Sequence, residues 1–484
     1  MKTCLLMGIA ATVFSVQTSY CETITMSEYL NRVSARHPLF ITEAMQPRIE
    51  SLRRDRFRGA EDWVVHSDPF VNFQKPIVSN TFSADRLTVF GVGASAQRPF
   101  WGNGSRLALS WEATITDQDL PGIVIPSTSG PITIPVGPSS FYENRISVTY
   151  SYPLLQNRGG ILDRLGYELG NYNIDFARIE SLENQENFLF EVGVRFIDWA
   201  LVLEETRIDR ERLSLEEEQL AQMKRKRRAN LVDEVDVRRA EAALEIAQEN
   251  VVFKQSLARA KQAELAVIAL DDSIYEATPD VDLYRLESLP PIADVIEQLS
   301  SHRIVNSLDV RVRRLRTQKH ALESVAKPRL YLGVTGGLQE GDEDFADSWV
   351  LDRPDITVFV DFRYPLGNRT ARADVEKIRV EIRQLEKQTE SVSLDLEARL
   401  RSVWIQIDEF EKVLALNQEQ ISTARKKTIE EQRVYNQGRG DLTFVIQSRD
   451  NESLAKLRYA VNAANYQKLV LNYRALVDEL LPGD

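Results

Sequence analysis

The chain has 484 residues, of which 43% are hydrophobic and 27% are charged, a balance typical of folded rather than disordered proteins. The net charge of -12 argues against nucleic acid as a partner, because phosphate binding needs a basic surface. Cys4 and Cys21 are the only cysteines, and the four histidines form no metal-binding motif. We therefore expect no metal site and no cofactor.

Residues 1–21 resemble a secretory signal peptide. Lys2 supplies a positive charge, residues 5–16 form an apolar core, and small or polar residues lead up to Cys21. Whether Cys21 carries a lipid is left open by the residues before it.

No later segment has the ~20 consecutive apolar residues of a spanning helix. If the protein crosses a membrane, it must do so as a β-barrel, the other fold that satisfies every backbone polar group in lipid.

The next part of the chain predicts a helical stretch, at residues 27–58, followed by strands. Residues 106–116 and 144–152 alternate apolar with small or polar side chains, as in a strand with one apolar face. Transmembrane strands and half-buried strands of soluble sheets share this pattern. Residues 86–97 indicate an additional strand, either in the same barrel or in an external sheet.

A long helical hairpin is predicted at residues 161–270. The segment contains no proline, and its apolar residues recur at helical spacings. Its one break, at residues 228–233, contains Asn230, which can end a helix in the left-handed conformation, and Asp233, which can cap the next helix. The first arm, residues 161–229, would be roughly 100 Å long at 1.5 Å per residue.

The second half follows the same order of elements. A helical stretch at residues 293–326 precedes strand patterns at residues 329–338 and 355–364. In the last of these, Phe359 breaks the alternation. A second proline-free helical hairpin follows at residues 368–480.

The second hairpin is also broken once, at residues 436–441. Gly438 can end the first helix and Asp441 can begin the next as an N-cap. The two breaks are therefore interpreted as the turns of two helical hairpins.

The passages from strand to helix are alike in the two halves. Residues 148–158 read VTYSYPLLQNR and residues 360–369 read VDFRYPLGNR. Pro153 and Pro365 mark the change from sheet to helix, since proline donates no ladder hydrogen bond. We interpret the chain as two structural repeats, residues 22–283 and residues 284–484.

The ordered motifs resemble the TolC-like outer membrane efflux proteins. The similar segments are ITMSEYLNRV from Ile24, YPLLQNR from Tyr152, NLVDEVDV from Asn230 and GRGDLTFV from Gly438. The resemblance implies a mostly α-helical chain that gives about four strands to an outer membrane β-barrel shared by three subunits, continued by a long periplasmic α-helical barrel. Four strands cannot close a barrel, and open sheet edges are excluded from lipid, so crossing the membrane demands oligomerisation.

The resemblance also implies roles for the two turns, where the α-helical barrel narrows and meets a periplasmic adaptor. Tyr435 and Asp236 match gate positions, and Arg439 lies one residue from a third. Phe444 and Gln447 stand where the family has an acidic ring. The residues expected at the tips of the turns and toward the adaptor are Asn230, Leu231, Val232, Asp233, Gly438, Gly440 and Asp441.

The function implied by the resemblance is a passive exit duct in the outer membrane of a Gram-negative cell, not an enzyme. An inner membrane transporter would supply the energy, and no Walker-type phosphate loop is present. Two alternatives stay open on the residues alone. One is a periplasmic or surface coiled-coil protein. The other is an enzyme using acidic residues such as Asp342 and Asp344, although no pairing of nucleophile and base stands out. No motif identifies the exported substrate.

Overall fold

The computed structural model describes residues 23–77, 84–120, 122–134, 137 and 139–481. The predicted signal peptide lies outside the described residues. The described chain divides into two compact units, each drawing on both halves of the sequence. The first unit contains residues 23–43, 182–303 and 393–481, and the second contains residues 44–120, 122–134, 137, 139–181 and 304–392.

Eight α-helices lie in the described part of the chain. In chain order they are α1 (Met26–Arg36), α2 (Pro38–Asp55), α3 (Ile161–Arg228), α4 (Glu234–Ala269), α5 (Ile292–Gln298), α6 (Arg303–Val325), α7 (Arg369–Asn436) and α8 (Leu442–Leu476). Both predicted helical hairpins are confirmed: α3 and α4 form the first, and α7 and α8 form the second. Within the described residues, none of the helices combines the length and the apolar character that a membrane span requires.

Small side chains line the buried faces of the shorter hairpin arms. On α4, Ala240, Ala243 and Ala247 are buried, and on α8, Ala460 and Ala463 are buried. Residues three and four apart share one face of a helix. Because alanine side chains are short, these faces can approach neighbouring helices closely.

The opening helix is anchored in the core of the first unit. The Thr25 hydroxyl oxygen caps α1 by accepting a hydrogen bond from the Glu28 backbone N–H at 3.2 Å. The Tyr29 ring stacks on Phe196 with centroids 5.1 Å apart. Its hydroxyl donates to the Leu265 carbonyl oxygen at 3.0 Å, which satisfies the polar end of a buried side chain.

The two shorter helical stretches are confirmed, but each is broken. The first divides at His37, whose backbone is extended, because Pro38 disfavours the helical conformation in the residue before it. The second divides at residues 299–302, where a 3₁₀ turn ends at His302 before α6 begins.

Ten strands are present in the described residues. In chain order they are β1 (Thr23–Ile24), β2 (Val64–Gln74), β3 (Arg86–Phe100), β4 (Ser105–Asp119), β5 (Ile123–Ile125), β6 (Ile132–Ile134), β7 (Ser140–Pro153), β8 (Thr278–Pro279), β9 (Arg329–Asp342) and β10 (Arg353–Arg363). β1 pairs with β8 in parallel, and β5 pairs with β6. The other six form one antiparallel sheet, in the second unit, in the order β10-β9-β7-β4-β3-β2.

The sheet has two more strands than the four that the sequence pattern predicts. The additional strand near residues 86–97 is β3, which pairs with β4 along its whole length. β2 is absent from the prediction because His66, Asp68 and Pro69 interrupt its apolar residues. All of its residues are exposed in the single chain, as in an edge strand. Within one chain the sheet is open, with β2 and β10 at its edges, so a closed barrel would need further chains.

Candidate functional site

The turn between α3 and α4 closes as a helix C-cap. Asn230 has a φ of 55°, and the Leu231 N–H donates to the Lys226 carbonyl oxygen at 2.9 Å, which satisfies a carbonyl group at the helix end. Asp233 takes the extended conformation of an N-cap, although its side chain forms no capping hydrogen bond. Leu231 is 72% exposed, so this turn presents an apolar side chain to solvent.

The turn between α7 and α8 closes in the same way. Gly438 has a φ of 75°, and the Arg439 N–H donates to the Val434 carbonyl oxygen at 3.1 Å. Asp441 caps α8, since its Oδ1 accepts a hydrogen bond from the Thr443 N–H at 2.7 Å. That interaction and the charge of Arg239 hold the pKa of Asp441 below its usual range. At Gly440, a Cβ atom would lie 3.2 Å from Val434 Cγ1.

An apolar cluster joins the two turns, and we call it the tip cluster. Tyr435 is its aromatic member and is 9% exposed. The Tyr435 hydroxyl donates to the Met223 sulfur at 3.2 Å, and the Lys226 ammonium lies 4.3 Å from the ring centroid, a cation–π distance. The tip cluster consists of Met223, Val237, Ala240, Tyr435, Leu442 and Val445, with Leu220, Val232 and Ile446 packed against it.

A bridge of charges links the same two turns at the surface. Arg239 Nη1 lies 3.4 Å from Asp236 Oδ1 and 3.6 Å from Asp441 Oδ1. Asp236 belongs to the first turn of α4 and Asp441 caps α8, so one guanidinium group holds carboxylates from both hairpins. Sequence reasoning missed Arg239, although its position three residues after Asp236 is the spacing of a helical ion pair.

The proposed gate residues lie together at this tip, but they are engaged differently. Asp236 interacts with Arg239, and Arg439 bonds to the side-chain oxygen of Gln437 within its own turn. Burial raises the pKa of Tyr435, and the charges of Asp236 and Asp441 raise it further. The Tyr435–Asp236 pairing therefore stays a prediction.

The two prolines lie where each strand gives way to a helix. Pro153 is the last residue of β7, and Pro365 follows the end of β10 by two residues. After each of them an asparagine takes the left-handed conformation: Asn157 with a φ of 63° and Asn368 with a φ of 43°. Asn157 Oδ1 then accepts a hydrogen bond from the Leu162 N–H at 2.9 Å, at the start of α3.

One face of the six-stranded sheet is apolar from edge to edge. Residues directly opposite each other on paired strands share a face, so the register identifies this set. It comprises Val65, Val71, Phe73, Phe90, Val92, Leu107, Leu109, Trp111, Ile115, Ile146, Val148, Tyr150, Leu332, Val334, Leu338, Ile356, Val358, Val360 and Phe362. Many of these side chains are strongly exposed in the single chain. A contiguous exposed apolar surface of this kind marks an interaction with lipid or protein.

The opposite face is polar. Thr149 and Thr335 share a hydrogen bond at 2.9 Å, and Ser110 and Ser147 share one at 2.6 Å. Each bond joins facing residues of neighbouring strands. The sheet therefore has one polar face and one apolar face.

Aromatic side chains interrupt the polar face, and near each edge of the sheet one of them covers a glycine of the neighbouring strand. The Phe359 ring on β10 covers Gly333 on β9, where a Cβ atom would lie 2.1 Å from Phe359 Cζ. Phe70 on β2 covers Gly91 on β3 in the same way, with a Cβ distance of 2.3 Å to Phe70 Cε1. The break in alternation at Phe359 is thus an aromatic ring filling the space that a glycine leaves.

Comparison with solved structures decides the fold. The chain matches the outer membrane protein VceC of Vibrio cholerae with a TM-score of 0.63 and 10% identity, over 94% of this chain and 95% of that one. It matches a membrane protein from Pseudomonas aeruginosa with a TM-score of 0.64 and 10% identity, over 94% and 91%. It matches the CmeC outer membrane channel of Campylobacter jejuni with a TM-score of 0.62 and 10% identity, over 100% and 95%.

The chain has the fold of the TolC-like outer membrane channels. This confirms the fold that the motifs predict. The sequence matches no protein-family model and no curated protein. Short motifs in a fixed order therefore point to this fold, although identity to each of these matched structures is only 10%.

This TolC-like chain also buries a cluster of charges in its first unit. The carboxylates of Glu183, Glu186 and Asp478 have oxygen atoms within 4.8 Å of one another, as three ligands of a cation would. The Arg303 guanidinium occupies that role: it lies 3.3 Å from Glu183 and 3.2 Å from Asp478 and also bonds to Glu186. The cluster therefore holds one guanidinium group among three carboxyl groups.

Proposed function

We propose that this protein is one of three subunits of an outer membrane exit duct for efflux or secretion in a Gram-negative cell. It would act passively and without catalysis, because transport energy would come from an inner membrane transporter. The fold it shares with outer membrane channels supports this role.

The apolar face of the sheet carries the proposal. In a soluble protein such a face would be covered, whereas in a barrel it would face lipid. β2 and β10, at the edges, have 11 residues each, the length of a tilted transmembrane strand. On the apolar face of β7, Tyr142 and Tyr152 lie toward opposite ends, in keeping with aromatic girdles at the two membrane interfaces.

The open edges of the sheet support the trimer. Unpaired backbone groups are not tolerated in lipid, so the sheet would be completed by other copies of the chain. The two halves of the chain, each with a short helix, strands and a helical hairpin, would be two repeats that contribute together to the barrel and to a periplasmic α-helical barrel.

The hairpin turns would form the periplasmic entrance and meet the adaptor that connects the duct to the inner membrane transporter. Exposed Leu231 on one turn and the charged residues beside the turns offer a mixed apolar and polar surface for that contact. Opening would separate the hairpins at the turns, a change between two states that adaptor binding would bias. Tyr435, Asp236 and Arg439 would take part in the gate.

The test combines fractionation with a matched pair of variants in β10. The membrane fraction is extracted with detergent, and the mass of the assembly is measured by light scattering corrected for detergent. A detergent-dependent outer membrane species of about three chains supports the proposal. A soluble monomer or dimer would refute it and favour a periplasmic or surface coiled-coil protein.

The variants are Val358→Arg and Thr357→Arg, which alter adjacent residues on opposite faces. An arginine on the lipid face near the membrane midplane costs about 2–4 kcal/mol. Val358→Arg should therefore reduce the amount of membrane-inserted trimer, and Thr357→Arg should leave it close to wild type. Equal tolerance of both changes would contradict a lipid-facing sheet.

A further inference from the structure

The first hairpin of the sheet, β2 and β3, has the same two faces as the other four strands. On β2, Val65, Val71 and Phe73 lie on the apolar face, and His66 and Asp68 lie on the polar face. The alternation on this hairpin therefore stays in phase with that of β4, β7, β9 and β10.

The hydrogen-bonded ladder is also continuous into this hairpin. β3 pairs with β4 from Arg86 opposite Asp119 to Phe100 opposite Ser105. The edge of β4 that faces β3 is therefore fully hydrogen-bonded within the chain. A hairpin lying outside the membrane would place the apolar side chains of β2 and β3 in water. It would also have to release this ladder if β4 were to pair with another chain.

The two edges of the sheet are compatible with each other. The strands alternate in direction across all six positions, so β2 and β10 run antiparallel. β2 of one copy placed beside β10 of the next would therefore continue the antiparallel order. The edges have equal length, and each carries a phenylalanine over a glycine on the polar face.

From these features we infer that β10 of each subunit pairs with β2 of the next and that the trimer closes an 18-stranded barrel. Three copies of a six-stranded sheet contribute 18 strands, whereas the four strands predicted from the sequence would give 12. The inference rests on the proposed trimer. An 18-stranded barrel is wide enough to leave an aqueous channel, so β2 and β3 would widen the outer membrane end of the duct.

Disulfide cross-linking of purified full-length trimers tests the pairing. One cysteine is placed on β10 by Val358→Cys in a Cys21→Ser background. Because strand tilt shifts the register between subunits, it is combined in turn with a cysteine at each apolar-face position of β2. Those positions are Val65, Ser67, Pro69, Val71 and Phe73.

The expected result is covalent dimers and trimers on oxidation for at least one of these pairs. The control combines Val358→Cys with Leu109→Cys, which lies on the apolar face of β4. Cross-linking of that pair would show that β10 pairs with β4 and that the first hairpin lies outside the barrel. A trimer in which no pair of the β2 series cross-links would also overturn the inference. Absence of a trimer before oxidation would instead refute the proposed function.

A second pair of variants reports on the position of β2 without cysteine chemistry. Val65→Arg places a charge on the apolar face of the sheet. Val64→Arg, at the adjacent residue, places the same charge on the polar face. If β2 lies in the barrel, Val65→Arg lowers the yield of inserted trimer as Val358→Arg does, while Val64→Arg does not. Wild-type yields for both β2 variants, together with a loss for Val358→Arg, would place β2 outside the membrane.

Discussion

The hydroxyl of Tyr435 donates a hydrogen bond to the sulfur of Met223, with 3.2 Å between the oxygen and sulfur atoms. Tyr435 lies near the end of α7 and Met223 near the end of α3. The first arms of the two hairpins, α3 and α7, are therefore joined beside their turns. If the turns form a gate, opening it must break or move this contact.

The first prediction concerns the gate. The double variant Tyr435→Phe, Asp236→Asn keeps both side-chain shapes but removes the hydroxyl and the negative charge that interacts with Arg239. We expect the trimer to assemble and its conductance in planar bilayers to rise, because the closed arrangement loses contacts that the open one does not have. Tyr473→Phe, at a buried tyrosine near the far end of α8, is the control. Unchanged conductance in the double variant would contradict a role of Tyr435 and Asp236 in the gate.

The second prediction compares the two caps. Asp441 accepts a hydrogen bond from the Thr443 N–H, whereas Asp233 has cap geometry without a capping bond from its side chain. Replacing a capping aspartate by alanine costs about 0.5–2 kcal/mol. Asp441→Ala should thus lower the unfolding temperature, and Asp233→Ala should have a smaller effect. Thermal unfolding followed by circular dichroism measures both, and Asp441→Ser, which retains a capping oxygen, should recover most of the loss. A larger effect at Asp233 would contradict the assignment.

The helical hairpins could be predicted closely from sequence because their signals are local. Absence of proline, apolar residues at helical spacing and the residues Asn230, Gly438 and Asp441 identify the arms and turns without knowledge of tertiary contacts. The structure places left-handed conformations at Asn230 and Gly438, as those residue types favour.

β2 and the charge bridge could not be predicted, because both depend on contacts between distant segments. β2 becomes recognisable only when its register with β3 assigns Pro69 and Val71 to one face and His66 and Asp68 to the other. Arg239 bridges Asp236 and Asp441 only because the two hairpins pack together at the tip cluster. No spacing in the sequence reports that packing.

The third prediction concerns glycines in β9. A Cβ atom at Gly333 would lie 2.1 Å from the Phe359 ring, whereas nothing lies within 4 Å of one at Gly336. Gly333→Ala should therefore displace the ring and reduce the yield of folded protein, and Gly336→Ala should be tolerated. The heat resistance of the assembly on gel electrophoresis measures the difference. Gly333→Ala combined with Phe359→Leu should recover part of the loss, and equal behaviour of the two single variants would contradict the packing.

The fourth prediction concerns the dependence of stability on pH. Burial raises the pKa of Glu183 to about 7, although Arg303 opposes the shift, while an unfolded glutamate has a pKa of about 4.3. The folded state thus favours the protonated carboxyl group. The associated stabilisation is fully present below the unfolded pKa and is lost as the pH rises through about 7.

Glu183→Gln removes this titration. Its free energy of unfolding should therefore improve relative to wild type as the pH is raised from about 5 to about 8. Denaturant unfolding at several pH values measures the difference, and Glu191→Gln, at an exposed position of the same helix, is the control. If the free energy of unfolding of Glu183→Gln instead falls relative to wild type over this range, the raised pKa of Glu183 is contradicted. Because burial lowers the pKa of the neighbouring His302, the comparison must be made with wild type at each pH.

The last prediction concerns Glu216, which is fully buried in α3. Neither carboxylate oxygen has a hydrogen-bond partner within the described residues. Burial raises the pKa of Glu216, against the opposing charges of Arg449 and Arg212. Arg212 has another partner in Asp450, at 2.5 Å, so replacing Glu216 does not leave that guanidinium unpaired.

A buried charge without hydrogen bonds destabilises a fold, and an apolar group of similar size is often better tolerated. We expect Glu216→Met to raise the unfolding temperature at pH 8, and the gain to shrink toward pH 5, because lowering the pH favours the protonated form of the wild-type carboxyl group. Glu217→Met, at the exposed neighbouring position, should produce little change at either pH. Destabilisation by Glu216→Met at pH 8 would show that the attraction of Arg449 and Arg212 outweighs the cost of burying the charge.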